Sequence, residues 1–182
     1  MLELTVPGEE CWDSEHEVFL QREDQTLKLE HSLVSISKWE QKWHKSFLET
    51  KELSADETAH YIKCMTLTQN VDDEVFERAA RTQSCINEIA AYINNPMTAT
   101  TFREEKVSKA NKEIVTSELI YYWMVACNIP SEYQKWHLNR LLTLIRVCNV
   151  KNQPPKKRSK RDIMASNAAL NAARKKQLNT KG

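Results

Sequence analysis

Only two of the 182 residues are glycines, Gly8 and Gly182. Loops that cradle phosphate groups, such as the P-loop and the dinucleotide-binding turn, need several glycines for close backbone approach and for positive φ angles. This sequence cannot build such a loop. We therefore predict neither a nucleotide-binding motif nor any other cofactor.

Apolar residues recur at helical spacing through most of the chain after Ser32. Leu33, Ile36, Trp43 and Phe47 predict a first amphipathic helix that runs through Phe47. The same kind of spacing predicts five further helices, at residues 54–65, 72–79, 85–93, 111–128 and 131–148. A stretch rich in Ala and Asn, residues 163–178, predicts a marginal helix that needs a partner to persist.

The ends of several predicted helices carry recognisable signals. Ser54 and Glu57 have the spacing of a capping box, which places a helix start at Ser54. Pro96 stops the helix before it, and Ser131 is expected to cap the last core helix. These signals are local, so they predict helix ends without knowledge of the tertiary structure.

The first 31 residues follow a different pattern. Leu2, Leu4 and Val6 alternate with polar residues, and residues 18–20 and 26–30 are two more extended segments. They predict a small antiparallel sheet, or an arm that adds to the sheet edge of another protein. The expected fold is mainly α, a helical bundle of about six helices with a small N-terminal β-hairpin or sheet and a basic C-terminal tail. We expect three regions: an extended segment 1–31, a helical domain 32–150, and a basic, partly disordered or conditionally helical tail 151–182.

The segment 115–152 is rich in aromatic residues. Its first helix is apolar over much of its circumference, so we expect it to be buried. The short break at residues 129–131 predicts that its two helices form an antiparallel hairpin. Because the tryptophans stand at helical spacing among aliphatic residues, a core position is favoured over an exposed binding surface. This prediction covers Trp39, Trp43, Trp123 and Trp136, and His137 is expected to be a satisfied core or boundary histidine.

No motif in the sequence indicates catalysis or metal binding. The five cysteines and five histidines form no C-x-x-C, H-E-x-x-H or histidine-rich tract, and Cys11 with His16 lacks matching partners nearby. There is no G-x-S-x-G elbow for a nucleophile. We therefore expect no metal site and no catalytic residue, that is, a protein that is not an enzyme. The cysteines, odd in number and widely spaced, are expected to be reduced thiols.

Charge is distributed unevenly along the chain. Residues 1–95 hold 9 Lys/Arg and 19 Asp/Glu, whereas residues 96–182 hold 17 and 6. This asymmetry predicts an acidic face and a basic arm, the latter formed by Lys156, Lys157, Arg158, Lys160 and Arg161. Such an arm suits the phosphates of nucleic acid, an acidic protein, or the acidic half of a second copy of this chain. A solubilising linker is the alternative interpretation.

Nothing in the sequence indicates a membrane protein or a secreted one. No segment reaches the ~18 consecutive apolar residues of a membrane span. The first 20 residues hold six acidic residues and no basic one, unlike a secretory signal. We therefore expect a cytoplasmic protein that works without a membrane.

Seven segments carry a resemblance to a known family: ELIYYWM at 118–124, IPSE at 129–132, QKWHLNR at 134–140, VCNVKNQPPKK at 147–157, NAALNAARKK at 167–176, LEHSLVSISKW at 29–39 and YIKCMTLT at 61–68. Together they resemble tail assembly chaperones of long-tailed (siphovirus-type) bacteriophages. The resemblance spans most of the chain, and it involves patterns of residues without a chemical motif.

The resemblance implies a protein that binds the phage tape-measure protein, a long, helical, apolar rod, and keeps it soluble until the tail tube polymerises around it. It implies action in the host cell cytoplasm and absence from the mature virion. A longer frameshift product, the tail tube protein and a second copy of the chain are further possible partners. The alternative function is a nucleic-acid-binding or structural phage protein that uses the basic arm.

The resemblance transfers no residue as a site. From the residue types, we expect partner contact at Tyr121, Trp123, Trp136 and Arg140. Tyrosine, tryptophan and arginine are enriched at interfaces, and helical hairpins with aromatic and aliphatic grooves can shield a partner helix. For both tryptophans, the competing expectation is a place in the core.

Overall fold

Seven α-helices, one 3-10 helix and four β-strands form the part of the chain that a computed structural model describes, residues 1–13, 17–102, 113–153 and 160–179. The prediction of a mainly α fold with a small N-terminal sheet is confirmed. The chain forms two compact units, Met1–Asn149 and Val150–Gly182.

Four short strands stand before the first helix: β1 (Leu2–Val6), β2 (Glu10–Asp13), β3 (Val18–Gln21) and β4 (Gln25–Leu29). β1 pairs with β4 and β2 pairs with β3, both antiparallel, and the two pairs form separate sheets. In the sequence, the β2–β3 hairpin falls between the two strands of the β1–β4 pair. We predicted three strands and missed β2, because four residues with two carboxylates resemble a loop.

One face of the β1–β4 pair belongs to the core. Leu4, Val6, Leu27 and Leu29 are fully buried, as the alternation along both strands predicts. Gly8 follows β1, where a Cβ atom would stand 2.1 Å from the carbonyl oxygen of Arg22. Any side chain there would push the two chain segments apart.

The helices follow in chain order: α1 (Leu33–Trp43), α2 (Ala55–Met65), α3 (Asp73–Arg81), α4 (Gln83–Asn94), α5 (Ser117–Ala126), the 3-10 helix (Ser131–Lys135), α6 (Leu138–Asn152) and α7 (Lys160–Leu178). Helix α1 packs on α2 and α5, α3 packs on α2 and α4, and α4 also packs on β1. The predicted capping box is confirmed, because Glu57 N donates to Ser54 Oγ (3.2 Å) and Ser54 N donates to Glu57 Oε2 (2.9 Å).

Two helices are shorter than predicted. Helix α1 ends at Trp43 instead of Phe47, because His44 adopts a left-handed conformation with φ 54° and the Phe47 amide donates to Glu40 Oε1 (2.9 Å). Helix α5 begins at Ser117, whose amide donates to Glu40 Oε2 (2.8 Å). The predicted start near residue 111 falls outside the described residues.

The prediction of one continuous helix over 131–148 is wrong. The chain forms the 3-10 helix, becomes extended at Trp136, and starts α6 at Leu138, whose amide donates to His31 O (2.8 Å). The predicted antiparallel hairpin is also wrong. The Cys127 thiol, directly after α5, donates to Asn149 Oδ1 (3.6 Å) near the end of α6, whereas a hairpin would place it near the start of that helix.

The core of the first unit lies between β1, β4 and helices α1 to α6, with Trp39 near its centre. Trp39 is fully buried and its Nε1 donates to Glu57 O (3.0 Å), which confirms the core prediction for this residue. Trp43 and Trp123 are half-buried against the core. The core prediction is wrong for Trp136, which is half-buried and does not belong to the core cluster; it stacks on Tyr133, at the edge of that cluster, and on Arg140.

Candidate partner-binding surface

Helix α5 has a buried face and an exposed apolar face. Ile120 and Met124 lie in the core, at 0% and 3% exposure. Tyr122 and Val125 point away from it, at 65% and 75% exposure. The prediction that α5 is buried over most of its circumference is therefore wrong for its outward face. That face carries Tyr122 and Val125, and the exposed carboxylate of Glu118 lies on the same side one turn earlier.

Two of the expected contact residues border this outward face. With 3.6 residues per turn, Tyr121 and Trp123 fall on opposite sides of the strip formed by Tyr122 and Val125. Both side chains are half-buried. The Tyr121 hydroxyl donates to Gln134 Oε1 (3.0 Å), which joins α5 to the 3-10 helix. Burial, and secondly the Glu118 carboxylate, raises the pKa of Tyr121, so this hydroxyl stays a donor.

The other two expected contact residues belong to a stack of three side chains. The Tyr133 and Trp136 rings are parallel to within 14°, with centroids 4.0 Å apart. The guanidinium carbon of Arg140 lies 4.0 Å from the Trp136 centroid. Cation–π contact of this kind holds a long, flexible side chain in one place, and Arg140 remains exposed to solvent.

His137, the residue directly after Trp136, attaches this part of the chain to the core through its side chain. His137 is 6% exposed, its Nε2 donates to Tyr92 O (3.1 Å), and its Nδ1 accepts from Asn139 N (3.3 Å). The expectation of a satisfied core histidine is confirmed. A rigid support of this kind limits the conformational entropy that Trp136 and Arg140 would lose on binding.

The hydrogen bond from Tyr121 to Gln134 links α5 to the 3-10 helix that also carries Tyr133 of the stack. We name the outward face of α5, its two borders and the stack together the α5 surface, and this set comprises Tyr121, Tyr122, Trp123, Val125, Tyr133, Trp136 and Arg140. The set includes the four residues at which we expect partner contact, and that contact stays a prediction. Sequence reasoning did not single out Val125 as part of this surface.

The basic arm is only partly described by the structure. Lys156, Lys157 and Arg158 lie outside the described residues. Lys160 and Arg161 form the first turn of α7 and are exposed. The second unit thus presents basic side chains to solvent at this end of α7.

The described ranges also bear on metal binding and on membrane insertion. No group of three or more His, Cys, Asp or Glu side chains in them could hold a metal ion. In the same ranges, no helix has the length and apolar character that a bilayer span demands. Comparison of the chain with known protein families, with curated proteins and with solved structures found no match.

Proposed function

We propose that this chain is a tail assembly chaperone of a long-tailed phage, which binds the tape-measure protein and keeps it soluble during assembly of the tail tube. The family assignment rests on the resemblance of the seven segments given above. The observation that supports a binding role is the outward face of α5, where Tyr122 and Val125 are more than half exposed.

Apolar and aromatic side chains that stay exposed on a folded protein mark interaction sites when they form a patch. Tyr122 and Val125 stand three residues apart, so an apolar helix laid along α5 would cover both. Each side chain that becomes fully covered contributes about 1.5–3 kcal/mol. A few such contacts hold a partner reversibly, and a chaperone that leaves before the virion is complete needs reversible binding.

Co-expression with the candidate tape-measure protein from the same genome tests the proposal. We expect the wild-type chain to move the tape-measure protein into the soluble fraction. The double variant Tyr122→Ser with Val125→Ser should lose most of this effect, because it removes the apolar face. Leu67→Ser is the matched control, since Leu67 is an exposed apolar residue away from α5, at 58% exposure.

Circular dichroism and thermal unfolding of each variant separate loss of binding from loss of fold, and exposed positions should leave both unchanged. The proposal is refuted if the tape-measure protein is equally insoluble with and without the wild-type chain. If the double variant and Leu67→Ser solubilise as well as the wild type does, the chaperone role survives but the α5 surface is not its contact site.

A further inference from the structure

A second exposed aromatic site lies far from α5 in sequence, on the β2–β3 hairpin. Trp12 and Phe19 are opposite each other across the two strands, with ring centroids 4.9 Å apart in a T-shaped arrangement. They are 54% and 71% exposed. Because alternate residues of a strand share a face, Glu10 and Gln21 lie on the same side. We name these four residues the hairpin face.

Helix α7 carries an apolar stripe within the second unit. Ile163, Leu170 and Leu178 are spaced by seven and eight residues, which places them on one side of the helix together with Arg174. The three apolar side chains are 44%, 53% and 71% exposed. Five alanines fill much of the remaining surface, so another element can approach the helix closely. We name Ile163, Leu170, Arg174 and Leu178 the α7 stripe.

The two sites have opposite charge. Residues 1–30 hold nine acidic and two basic residues, whereas residues 150–182 hold ten basic residues and one acidic residue. On the described part of α7, Lys160, Arg161, Arg174, Lys175 and Lys176 are all exposed. Pairing of two α7 helices would bring these like charges together, whereas the hairpin face offers aromatic rings within an acidic segment.

We propose that the α7 stripe of one copy of this chain docks on the hairpin face of a second copy. Trp12 and Phe19 cover the apolar residues of α7, and the basic side chains of α7 lie against the acidic N-terminal segment. The contact joins two different surfaces, so association continues beyond the dimer, either to a closed ring or to a filament, depending on the rotation between neighbouring copies. This inference goes beyond the proposed function and does not depend on it, because no phage partner takes part.

Sedimentation equilibrium of the full chain over a range of concentrations tests the proposal with two double variants. The hairpin variant is Trp12→Thr with Phe19→Thr, which keeps residues suited to strands. The helix variant is Leu170→Gln with Leu178→Gln, which keeps residues suited to helices. The controls are Leu67→Thr in the first unit and Ala172→Gln on α7, where Ala172 is exposed and lies on the side of the helix opposite the stripe.

The wild type and both controls should form dimers and larger species as concentration rises, and association should weaken with added salt as the charges are screened. Each double variant alone should remain a monomer. An equimolar mixture of the two should form dimers and nothing larger, because the hairpin variant retains an intact α7 stripe and the helix variant an intact hairpin face.

Three results would overturn the proposal. A wild-type chain that stays monomeric at every concentration excludes association in trans, including the case in which α7 binds its own hairpin. A hairpin variant that associates as the wild type does shows that α7 has another partner surface. A monomeric wild type that binds a polyuridine oligonucleotide, with loss of binding in Arg174→Glu, assigns the helix to nucleic acid instead.

Discussion

At the scale of single residues, His31 has the most strongly altered chemistry. Its imidazole is 2% exposed, and its Nδ1 lies 2.5 Å from the Tyr61 hydroxyl. The ring of His137 is 5.1 Å away between centroids. Burial first, and the neighbouring His137 second, lowers the pKa of His31 from 6.5 to about 3. Burial also lowers the pKa of His137. Both rings are therefore neutral in the folded protein at pH 7.

This depressed pKa predicts a loss of stability in mild acid. Between pH 6.5 and 3 the unfolded chain binds a proton at His31 and the folded chain does not, so the free energy of unfolding falls as pH falls. His31 contributes a slope of at most about 1.4 kcal/mol per pH unit, and its full contribution is present above pH 6.5. Urea unfolding between pH 7.5 and 4.5 measures it.

The variant His31→Asn cannot titrate in this range but can still hydrogen bond to Tyr61. We expect its unfolding free energy to depend less steeply on pH than that of the wild type. If the unfolding free energies of the two proteins depend equally on pH, the pKa of His31 is the same in the folded and the unfolded chain. That result would contradict a buried, neutral imidazole in the folded protein.

At the scale of elements, the Glu40 carboxylate connects three parts of the chain. It is 8% exposed and lies in α1. One oxygen accepts from the amide of Phe47, just after α1, and the other from the amide of Ser117, the first residue of α5. The helix that bears the α5 surface is therefore positioned at its start by a residue 77 positions earlier in the chain.

Replacing this carboxylate should loosen α5. In Glu40→Gln one oxygen becomes an NH2 donor that faces another N–H group, so one buried amide loses its acceptor. We expect a loss of about 1–3 kcal/mol in the free energy of unfolding. Amide exchange at Ser117 should accelerate. The exposed control Glu52→Gln should stay within about 0.5 kcal/mol of the wild type. If both variants unfold alike, Glu40 does not position α5.

The helix ends separate what the sequence could predict from what it could not. The start of α2 depends on Ser54 and Glu57, which are three residues apart, and it was predicted correctly. The end of α1 and the start of α5 depend on Glu40, and the break before α6 depends on the hydrogen bond from Leu138 to His31. These hydrogen-bond partners are distant in sequence, and the spacing of apolar residues does not indicate which distant groups will pair.

The same distinction applies to the candidate site. Residue type alone led to Tyr121, Trp123, Trp136 and Arg140, and partner contact at these four residues stays a prediction. The residue types could not show that Tyr122 and Val125 face outward, since an apolar helix in the core has the same sequence pattern. Which side of α5 meets the core is decided by α1, on which α5 packs.

At the scale of the whole molecule, the two units carry different chemistry. The first unit, Met1–Asn149, contains the core, the α5 surface and the hairpin face. The second unit, Val150–Gly182, contains the basic α7. The proposals of partner binding and of self-association therefore concern separate surfaces. A variant that abolishes one should leave the other intact, so the two proposals can fail independently.

Site-specific photocrosslinking tests the central claim, that the α5 surface binds the tape-measure protein. A photoreactive phenylalanine analogue replaces Tyr122 in the full chain, co-expressed with the candidate tape-measure protein, and the same analogue replaces Leu67 as the control. We predict a crosslinked product of the two proteins from position 122 and little or none from position 67. A soluble complex that crosslinks from position 67 but not from position 122 would contradict the account.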